Sequence, residues 1–503
     1  MGVIGENMKN NIVEYLDEVI KNNPRKNIFI EKNRKITYKE FGNQSKKIAS
    51  NILDKYDLKN KPIAIFIDKS INCLLSMFGT LYSRNFYCVI DVNSPKNRID
   101  TIINTLEPSL IITDNKNIDK IKNYSYSINI LNIDELDDIK FSSFKINYCL
   151  TDPAYVLFTS GSTGVPKGSV ILESSLISYI DWFKEEFNIN KETVFGSQTP
   201  FYFSMSVSDI FATVVSGATF VIIPKVNFSF PLKLIEFLNE YKINTIYWVP
   251  SALAIVANLK TFDYIKPKYL EKVLFAGEVM PMPVLNIWRK HLPKCLYANL
   301  FGPTETTDIF AFYKVNRKFK DNETLPMGVP CKNVDIIMID SDNKESNEGE
   351  IYVRSPFVGN GYYNNKEKTD ISFIQNPTHN NYIDIVYKTG DLGKYNKYGE
   401  IEYLGRKDFQ IKHMGYRIEL GEIESNINSL DGINICACIY QDDKIILYYE
   451  SNNLDDDDVV DFSNKHLLNY MRPNVIKKII KMPYNANGKI DRVKLKEMYK
   501  EGE

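Results

Sequence analysis

A run of small and hydroxyl-bearing residues follows an apolar stretch in the first third of the chain. Tyr155–Phe158 is typical of a buried strand, and it opens into TSGSTGVPKG at 159–168. Small residues leave backbone N–H groups accessible, hydroxyls add donors, and Lys167 adds a mobile positive charge. A flexible surface turn is the alternative, but the full order of residues predicts a loop that binds a polyphosphate. It is not a Walker loop, because Lys167 precedes Gly168 and no Gly-Lys-Ser/Thr follows.

Four further stretches carry residues suited to the same chemistry. NLFGPTETT at 299–307 offers an amide, an aromatic ring and one carboxylate, and YKTGDL at 387–392 places an aspartate directly after a glycine. GRKDFQIKHMGYRIELGEIE at 405–424 gathers charges of both signs around two glycines, and NGKIDR at 487–492 places a lysine behind a turn. Taken one at a time, these acids and lysines could equally be turn residues, helix caps or solvent-exposed side chains at the tips of loops. Their joint presence in this order argues against coincidence.

With these motifs the chain resembles the adenylate-forming enzymes: acyl- and aryl-CoA ligases, luciferases and the adenylation domains of non-ribosomal peptide synthesis. The resemblance runs from ITYKEF at 36–41 to NGKIDR, and it is especially marked toward stand-alone D-alanine–carrier protein ligases, through DFQIKHMGYRIELGEIE, FAGEVMP and SVSDIF. It implies a two-step reaction with ATP and Mg²⁺. A carboxylate attacks the α-phosphorus of ATP, which gives an acyl-AMP and pyrophosphate, and a thiol then displaces AMP.

The resemblance also implies an ATP site with two sides. The phosphate-binding residues are expected to be Thr159, Ser160, Gly161, Ser162, Thr163, Gly164 and Lys167. The adenine and ribose side is expected to comprise Gly277, Glu278, Asn299, Phe301, Gly302, Thr304, Asp391, Tyr403 and Arg406. Within this set Asp391 would take the ribose hydroxyls with Arg406 assisting, Asn299 would read the adenine, and Phe301 would stack where many relatives have Tyr.

Three residues are expected to serve the reaction itself. Glu305 would hold Mg²⁺, and Lys489 would bridge the carboxylate and the α-phosphate in the transition state. Removal of such a preorganised charge typically costs about 10²–10³ in rate. Asp408 would be the hinge on which a small C-terminal domain rotates, which withdraws Lys489 and brings HMGYRIE to the site for thiol transfer.

The acid pocket can be carried over from the flanking motifs. Its expected residues are Phe203, Ser204, Met205, Ser208, Tyr247, Leu274, Ala276, Leu300, Asp308 and Ile309. Alternation in PFYFSMSVSDIF at 200–211 by itself favours a strand, whereas the resemblance implies a strand end that turns into a helix. Ser204, Met205 and Ser208 would then face the pocket, and Asp209 would belong to the scaffold.

Ser204 indicates what kind of acid enters. In amino-acid-activating members an aspartate at this place in F-D-x-S pairs with the substrate's α-ammonium, and here FSMS has a serine. We therefore expect an acid without an α-ammonium, best an aryl acid such as an amino- or hydroxybenzoate. Asp308 would receive its far-end amino or hydroxyl group, or alternatively would be a helix-start acid that faces water or Lys489. D-alanine–carrier protein ligase and acyl- or aryl-CoA ligase activities are the alternatives.

Alternatives also exist for the group that accepts the acyl chain and for the class of protein. NGKIDR resembles the carrier-protein branch and only eleven residues follow Arg492, so we expect a separate phosphopantetheinyl carrier protein, with CoA and then an amine as alternatives. A nucleotide-binding regulatory protein would lack Lys489 or the phosphate loop, and both are present. A P-loop kinase or ATPase would need the Walker order and a second aspartate.

These residues must be positioned by strands and helices, and the order of the predicted strands and helices indicates an α/β fold. Strand candidates such as PIAIFID, FYCVID, LIITD, TFVIIP, TIYWVP and KVLFAG alternate with helical stretches, as parallel sheets with helical crossovers require. NVDIIMID, GEIYVRS and EIEYLGR indicate an antiparallel unit. We predict an N-terminal domain over 1–407, with two parallel-type αβ subdomains and a small β-barrel-like unit. A small mobile α+β domain over 408–503 would follow it.

Composition narrows the class of partner. With 62 basic and 63 acidic residues the net charge is −1, which disfavours steering to nucleic acid or anionic membrane. The seven cysteines are scattered and the four histidines lie far apart, so a His/Cys metal site is not expected. No signal peptide or membrane-spanning stretch is evident. These features predict a reduced, cytoplasmic enzyme, and a monomer is the default from the resemblance.

Overall fold

The structure, a computed structural model, describes residues 9–139, 148–161, 165–407, 410–484 and 490–502. Two compact units emerge: the larger comprises 1–92, 106–157 and 168–405, and the smaller comprises 93–105, 158–167 and 406–503, within the described residues. The predicted α/β class, with parallel-type sheets in a large unit and a smaller α+β unit, is confirmed. The domain boundary at 407/408 stays a prediction, since 408 and 409 lie outside the described residues.

The strands are short and spread along the whole chain. They are β1 Asn27–Glu31, β2 Arg34–Thr37, β3 Pro62–Phe66, β4 Phe86–Val89, β5 Leu110–Thr113, β6 Asn129–Asn132, β7 Pro153–Thr159, β8 Lys167–Leu172, β9 Val194–Ser197, β10 Thr219–Ile222, β11 Thr245–Trp248, β12 Lys272–Phe275, β13 Leu296–Phe301, β14 Ala311–Lys314, β15 Val329–Pro330, β16 Asp335–Ile339, β17 Glu348–Arg354, β18 Phe373–Gln375, β19 Ile385–Tyr395, β20 Ile401–Arg406, β21 Gln410–His413, β22 Tyr416–Glu419, β23 Ile433–Gln441, β24 Lys444–Ser451 and β25 Val475–Lys478.

Helices alternate with these strands. They are α1 Ile12–Asn22, α2 Tyr38–Tyr56, α3 Ile71–Tyr82, α4 Lys96–Leu106, α5 Ile118–Asn123, α6 Glu173–Glu186, α7 Met205–Ser216, α8 Pro231–Glu240, α9 Pro250–Asn258, α10 Met282–His291, α11 Lys366–Ser372, α12 Leu420–Asn428, α13 Asp456–His466 and α14 Arg492–Glu501. Within the described residues, no helix combines the length and apolar character needed to cross a bilayer.

Local sequence sets the ends of these helices. Asn11 caps α1 by accepting a hydrogen bond from the Glu14 N–H, and the helix stops before Pro24, which cannot continue it. The acidic run that precedes α13 forms a capping box, in which Asp455 and Asp458 each accept the other's backbone N–H. The run is therefore a helix start, as its sequence predicts.

The six-stranded sheet has the order β6-β5-β3-β4-β7-β8. Its pairs β6–β5, β5–β3, β3–β4 and β4–β7 are parallel. Strands β3, β4 and β5 are buried along their whole length, because helices cover both faces of a parallel sheet.

The nine-stranded sheet has the order β15-β14-β13-β12-β11-β9-β10-β1-β2. The strands from β13 to β1 in this order are parallel, and antiparallel pairs close both edges. Because parallel strands share one direction, the carboxyl ends of β11, β12 and β13 lie at one edge. Ligands of open α/β sheets bind at such an edge.

The predicted antiparallel unit is a five-stranded sheet, in which β16, β17, β19 and β18 are neighbours and β20 pairs with β19. The smaller unit contains the hairpin β21–β22 and a three-stranded sheet, β23-β24-β25. Its core is formed by one face of α12 with Cys436, Cys438 and Leu447 of the sheet. Cys436 and Cys438 are buried strand residues, as predicted.

Candidate active site

Three neighbouring parallel strands carry predicted pocket residues to the same edge of the nine-stranded sheet. Tyr247 in β11 lies opposite Leu274 in β12, and Leu300 lies one strand further, in β13. Ala276 comes directly after β12. All four side chains are buried, so they form an apolar wall at the carboxyl ends of the strands.

Helix α7 supplies the opposite set of predicted residues. Its first residue is Met205, so PFYFSMSVSDIF turns into a helix as the resemblance implies, and its alternation does not mark a strand. Ser204 stands immediately before the helix and makes no capping hydrogen bond, while Thr304 Oγ1 donates to its Oγ at 3.3 Å. Ser208 lies four residues further along, on the same face as Ser204. Phe203, in the preceding turn, is half-buried.

Asp308 is the centre of a buried cluster of hydroxyl groups. Its Oδ2 accepts hydrogen bonds from Ser208 Oγ at 2.7 Å, from Tyr247 at 3.0 Å and from Tyr179 at 3.2 Å. Asp308 follows a short 3₁₀ turn over Thr304–Thr306, precedes β14 and is 2% exposed. It is therefore not a helix-start acid that faces water.

The cluster contains more contacts than hydroxyl protons. Tyr179 and Ser208 also share a hydrogen bond of 2.7 Å, with either oxygen as donor. Because each hydroxyl carries one proton, one of these two groups donates to the other and the second donates to Asp308. From these three groups the carboxylate therefore receives two full hydrogen bonds at a time, one of them from Tyr247.

Burial raises the pKa of Asp308 to about 6, while hydrogen bonds from Ser208, Tyr247, Tyr179 and Ser204 lower it. Burial also raises the pKa values of Tyr179 and Tyr247, so both stay neutral donors. At neutral pH the cluster thus holds an anion with uncharged groups.

Tyr179 is a member of the cluster that the sequence did not reveal. It lies in α6, and its ring also packs edge-on against Phe357 at 5.4 Å. The segment LISYIDWF reads as an ordinary buried helix face, and only the tertiary packing of α6 against α7 brings the hydroxyl to Asp308. A tyrosine among apolar helical residues is a weak signal by itself.

Asp209, the residue after Ser208, belongs to a second buried group. Burial raises its pKa and Lys69 lowers it, while burial lowers the pKa of Lys69. Lys69 Nζ donates to the carbonyl and the hydroxyl of Ser197 at 3.1 and 3.2 Å. Asp209 thus ties α7 to the end of β9 and to the segment after β3, which agrees with a scaffold role.

Glu305, the expected Mg²⁺ ligand, is fully buried and receives a hydrogen bond of 2.7 Å from the Tyr362 hydroxyl. No group of three or more His, Cys, Asp or Glu suited to a metal occurs among the described residues. Mg²⁺ is usually held by one or two carboxylates together with substrate phosphates. A single buried carboxylate, oriented by a tyrosine, therefore fits this ion.

The residues expected on the adenine and ribose side lie in the larger unit, apart from Arg406, the last residue of β20. Asn299 donates through Nδ2 to the Pro326 carbonyl at 2.9 Å, and the Phe301 ring packs against Tyr403 at 5.5 Å. Asp391 is buried in β19. Gly302 is required by close approach, because a Cβ there would lie 2.4 Å from the Asp308 carbonyl oxygen.

Two further residues of this side follow β12. Gly277 has φ +87°, and Glu278 accepts the Ser251 N–H at 2.7 Å. Their role toward a nucleotide stays a prediction.

The predicted phosphate loop is described only in part. Ser162, Thr163 and Gly164 lie outside the described residues, as do the catalytic candidate Lys489 and the hinge candidate Asp408. In the described part a Cβ at Gly161 would lie 2.0 Å from the Val165 carbonyl oxygen, so the turn accepts only glycine there. Ser160 Oγ donates to the Arg417 carbonyl at 2.6 Å, and Thr159 Oγ1 donates to the Lys167 carbonyl at 3.5 Å.

Comparison with known proteins finds relatives over nearly the whole chain. Residues 16–363 match the family model described as AMP-binding enzyme. Zwittermicin A synthase ZmaJ of Bacillus cereus is 31% identical over 500 residues, which cover 96% of this chain and 94% of that protein. The D-alanine–D-alanyl carrier protein ligase of Bacillus licheniformis is 29% identical over 509 residues, which cover 97% of this chain and 99% of the ligase.

Much larger synthases match over a small part of their length. Bacitracin synthase 1 of Bacillus licheniformis is 30% identical over 92% of this chain, but the chain spans only 9% of that synthase. A crystal structure of the Vibrio cholerae adenylation domain AlmE, in complex with glycyl-adenosine-5'-phosphate, has a TM-score of 0.84 at 18% identity. It covers 99% of this chain and 100% of AlmE. At this identity the likeness concerns the fold.

Proposed function

The chain belongs to the AMP-binding enzymes, and from that membership we propose that it adenylates a carboxylic acid that lacks an α-ammonium group. It is an adenylate-forming ligase, similar to adenylation domains and D-alanine carrier ligases. In the proposed reaction the acid's carboxylate attacks the α-phosphorus of ATP and pyrophosphate leaves. A thiol then takes the acyl group and AMP leaves.

Ser204 is the observation that carries the proposal. The resemblance puts an α-ammonium-binding aspartate at this place, and here an uncharged hydroxyl accepts a hydrogen bond from Thr304. A hydrogen bond to a charged group contributes about 1.5–3 kcal/mol. At about 1.4 kcal/mol per decade, its loss disfavours an α-amino acid by about tenfold to a hundredfold, and the unpaired buried ammonium raises this to a few hundredfold.

An aryl acid such as an amino- or hydroxybenzoate is the proposed substrate. Met205, Leu300 and Ile309 are buried apolar residues, and the Tyr247 ring adds a flat surface. A slot of this kind suits a ring better than a polar chain. Asp308 is proposed to receive an amino or hydroxyl group at the far end of the acid.

The first step of the proposed reaction is electrostatically unfavourable. It brings two anions, the carboxylate and ATP, together, and further negative charge develops on the α-phosphate. Preorganised cations and N–H donors must neutralise that charge. We assign this role to Lys489 and to the loop around Lys167, with Asp391 on the ribose. Mg²⁺, when bound, neutralises phosphate charge and polarises a phosphoryl oxygen, and Glu305 is proposed to hold it.

A separate phosphopantetheinyl carrier protein is the proposed acceptor. Support comes from NGKIDR and from the full-length match to a carrier protein ligase. The same match favours D-alanine as the second candidate substrate. The seven cysteines are all free, which supports a proposed cytoplasmic location, and a monomer is proposed.

ATP–pyrophosphate exchange across amino, hydroxy, aryl and fatty acids tests the proposal, because only an adenylating enzyme returns label from pyrophosphate to ATP. We expect exchange with substituted benzoates well above that with D-alanine. Strong exchange with D-alanine and none with benzoates would refute the aryl acid. Lys489→Ala serves as the variant whose exchange must fall in every case.

A further inference from the structure

The charges around Asp308 do not balance within the described residues. All of its hydrogen-bond partners there are hydroxyl groups, and no described lysine, arginine or histidine forms an ion pair with it. The neighbouring carboxylate, Asp209, repels it and engages the nearby Lys69. Lys69 is shared by Asp209 and Glu31, so no described cation remains for Asp308 in this part of the larger unit.

Such an anion is costly to keep without a cation. A buried charge normally has an opposite charge beside it or forms several hydrogen bonds, and here neutral hydroxyls alone hold it. The pKa of Asp308 is raised to about 6, which still leaves the group ionised at neutral pH. The cluster around it is therefore built for a cation that arrives from outside the described residues.

The place of the Asp308 carboxylate can be compared with position 204, where the resemblance expects an aspartate and this chain has the neutral hydroxyl of Ser204. Ser204 immediately before α7 and Ser208 within it lie four residues apart, and both hydroxyls hydrogen-bond to Asp308. The carboxylate itself comes from the segment before β14, whereas the resemblance expects the α-ammonium partner at the start of α7.

We infer that the acid activated here carries a basic amine, protonated at neutral pH, at the end away from its carboxylate, and that Asp308 is the counter-ion of this ammonium. The inference rests on the proposed function and deepens it. An amine bonded directly to an aromatic ring is a weak base and is uncharged at neutral pH, as is a phenol. Within the aryl class an aminomethylbenzoate meets the requirement, and an ω-amino acid with a chain of a few methylenes is its aliphatic counterpart.

Matched acids that differ only in the charge of the distal group test the inference. Pyrophosphate exchange is measured for 4-ethylbenzoate against 4-(aminomethyl)benzoate and for pentanoate against 4-aminobutanoate, with 4-hydroxybenzoate and 4-aminobenzoate as uncharged polar acids. For the wild-type chain we expect kcat/KM for the cationic member of each matched pair to exceed the neutral one by about tenfold to a hundredfold. Equal values, or a preference for the neutral acids, overturn the inference while leaving the proposed adenylation of an aryl acid intact.

Asp308→Asn tests the assignment of the counter-ion, because it keeps the shape and removes the charge. We expect the preference for the cationic acid to collapse to about onefold. A preference that survives in a folded Asp308→Asn chain overturns the role of Asp308. Thermal melting without ATP gives a second readout: the cationic acid should raise the wild-type Tm more than its neutral partner does.

The same panel separates the two proposals. Exchange with D-alanine alone refutes the proposed function and this inference together. Exchange with 4-aminobutanoate but with no benzoate supports the distal ammonium and refutes the aryl acid. Exchange with neutral benzoates alone supports the proposed function and overturns the inference.

Discussion

The Tyr362 hydroxyl donates a hydrogen bond of 2.7 Å to Glu305 Oε1, and both side chains are buried. The two residues are 57 positions apart, in the 3₁₀ turn after β13 and in the loop after β17. A carboxylate fixed in this way loses less orientational freedom when it binds a cation. Tyr362 is therefore a positioning residue for the expected Mg²⁺ ligand.

Tyr362→Phe is predicted to weaken binding of the divalent ion without removing its ligand. A hydrogen bond to a charged group contributes about 1.5–3 kcal/mol, part of which the ion replaces, so we expect metal affinity to fall by about three- to thirtyfold. Binding of Mn²⁺ in the presence of ATP, followed by electron paramagnetic resonance, measures this directly.

Tyr363→Phe is the matched control, since its hydroxyl forms no hydrogen bond with any described residue and Tyr363 is only half-buried. Its Mn²⁺ affinity should equal that of the wild-type chain. If both variants bind Mn²⁺ as the wild type does, Tyr362 has no part in orienting Glu305.

Moving the charge from Asp308 to position 204, at the start of α7, is predicted to change the class of acid. Ser204→Asp alone places a second carboxylate near Asp308, and repulsion between the two limits its gain. The double variant Ser204→Asp/Asp308→Asn keeps the charge count and moves the anion from the segment before β14 to the start of α7. We expect it to gain exchange with α-amino acids by about tenfold or more over either single variant, and to lose the preference for distal amines. No gain in the double variant would show that Ser204 does not set the preference.

Most of the strands and pocket residues that form the site could be predicted from the sequence, but few of the polar contacts of its carboxylates could. Strands such as β11 and β12 could be predicted because buried parallel strands are continuous apolar runs that end in turns. Ser204 and Asp308 could be singled out because motifs flank them. Tyr179 and Tyr362 could not, because each reaches its carboxylate only through packing between elements far apart in the chain.

Lys69 and Asp209 show the same limit. The sequence identified Asp209 as scaffold, but its partner lies 140 positions earlier, after β3. Periodicity predicts that a residue is buried, and does not predict which polar group accompanies it. The distinction matters here because Asp209 and Asp308 are neighbouring acids of which one has a cation.

The Lys69–Asp209 pair is predicted to stabilise the fold only as a pair. Loss of one partner leaves an uncompensated buried charge, which typically costs about 3–5 kcal/mol, whereas replacement of both by neutral groups costs less. Lys69→Met and Asp209→Asn should each lower the free energy of unfolding, and the double variant should recover part of the loss. A double-mutant cycle from denaturant unfolding measures the coupling, and strictly additive losses would contradict it.

Asp308 is predicted to make stability depend on pH in an identifiable window. Its folded pKa of about 6 lies above the usual 3.8, so the stabilising contribution of the protonated form is fully present below about 3.8 and is lost as the pH rises through about 6. In Asp308→Asn this dependence is absent, whereas Asp209 and Lys69 titrate in both chains and cancel in the difference. The wild-type chain should therefore gain stability relative to Asp308→Asn, by about 2 kcal/mol, as the pH is lowered from 7.5 to about 4.5. Urea unfolding of both chains across this range measures the gain. A difference that stays constant with pH would mean that Asp308 titrates in the fold as it does in the unfolded chain, which its burial among Tyr179, Ser208 and Tyr247 argues against.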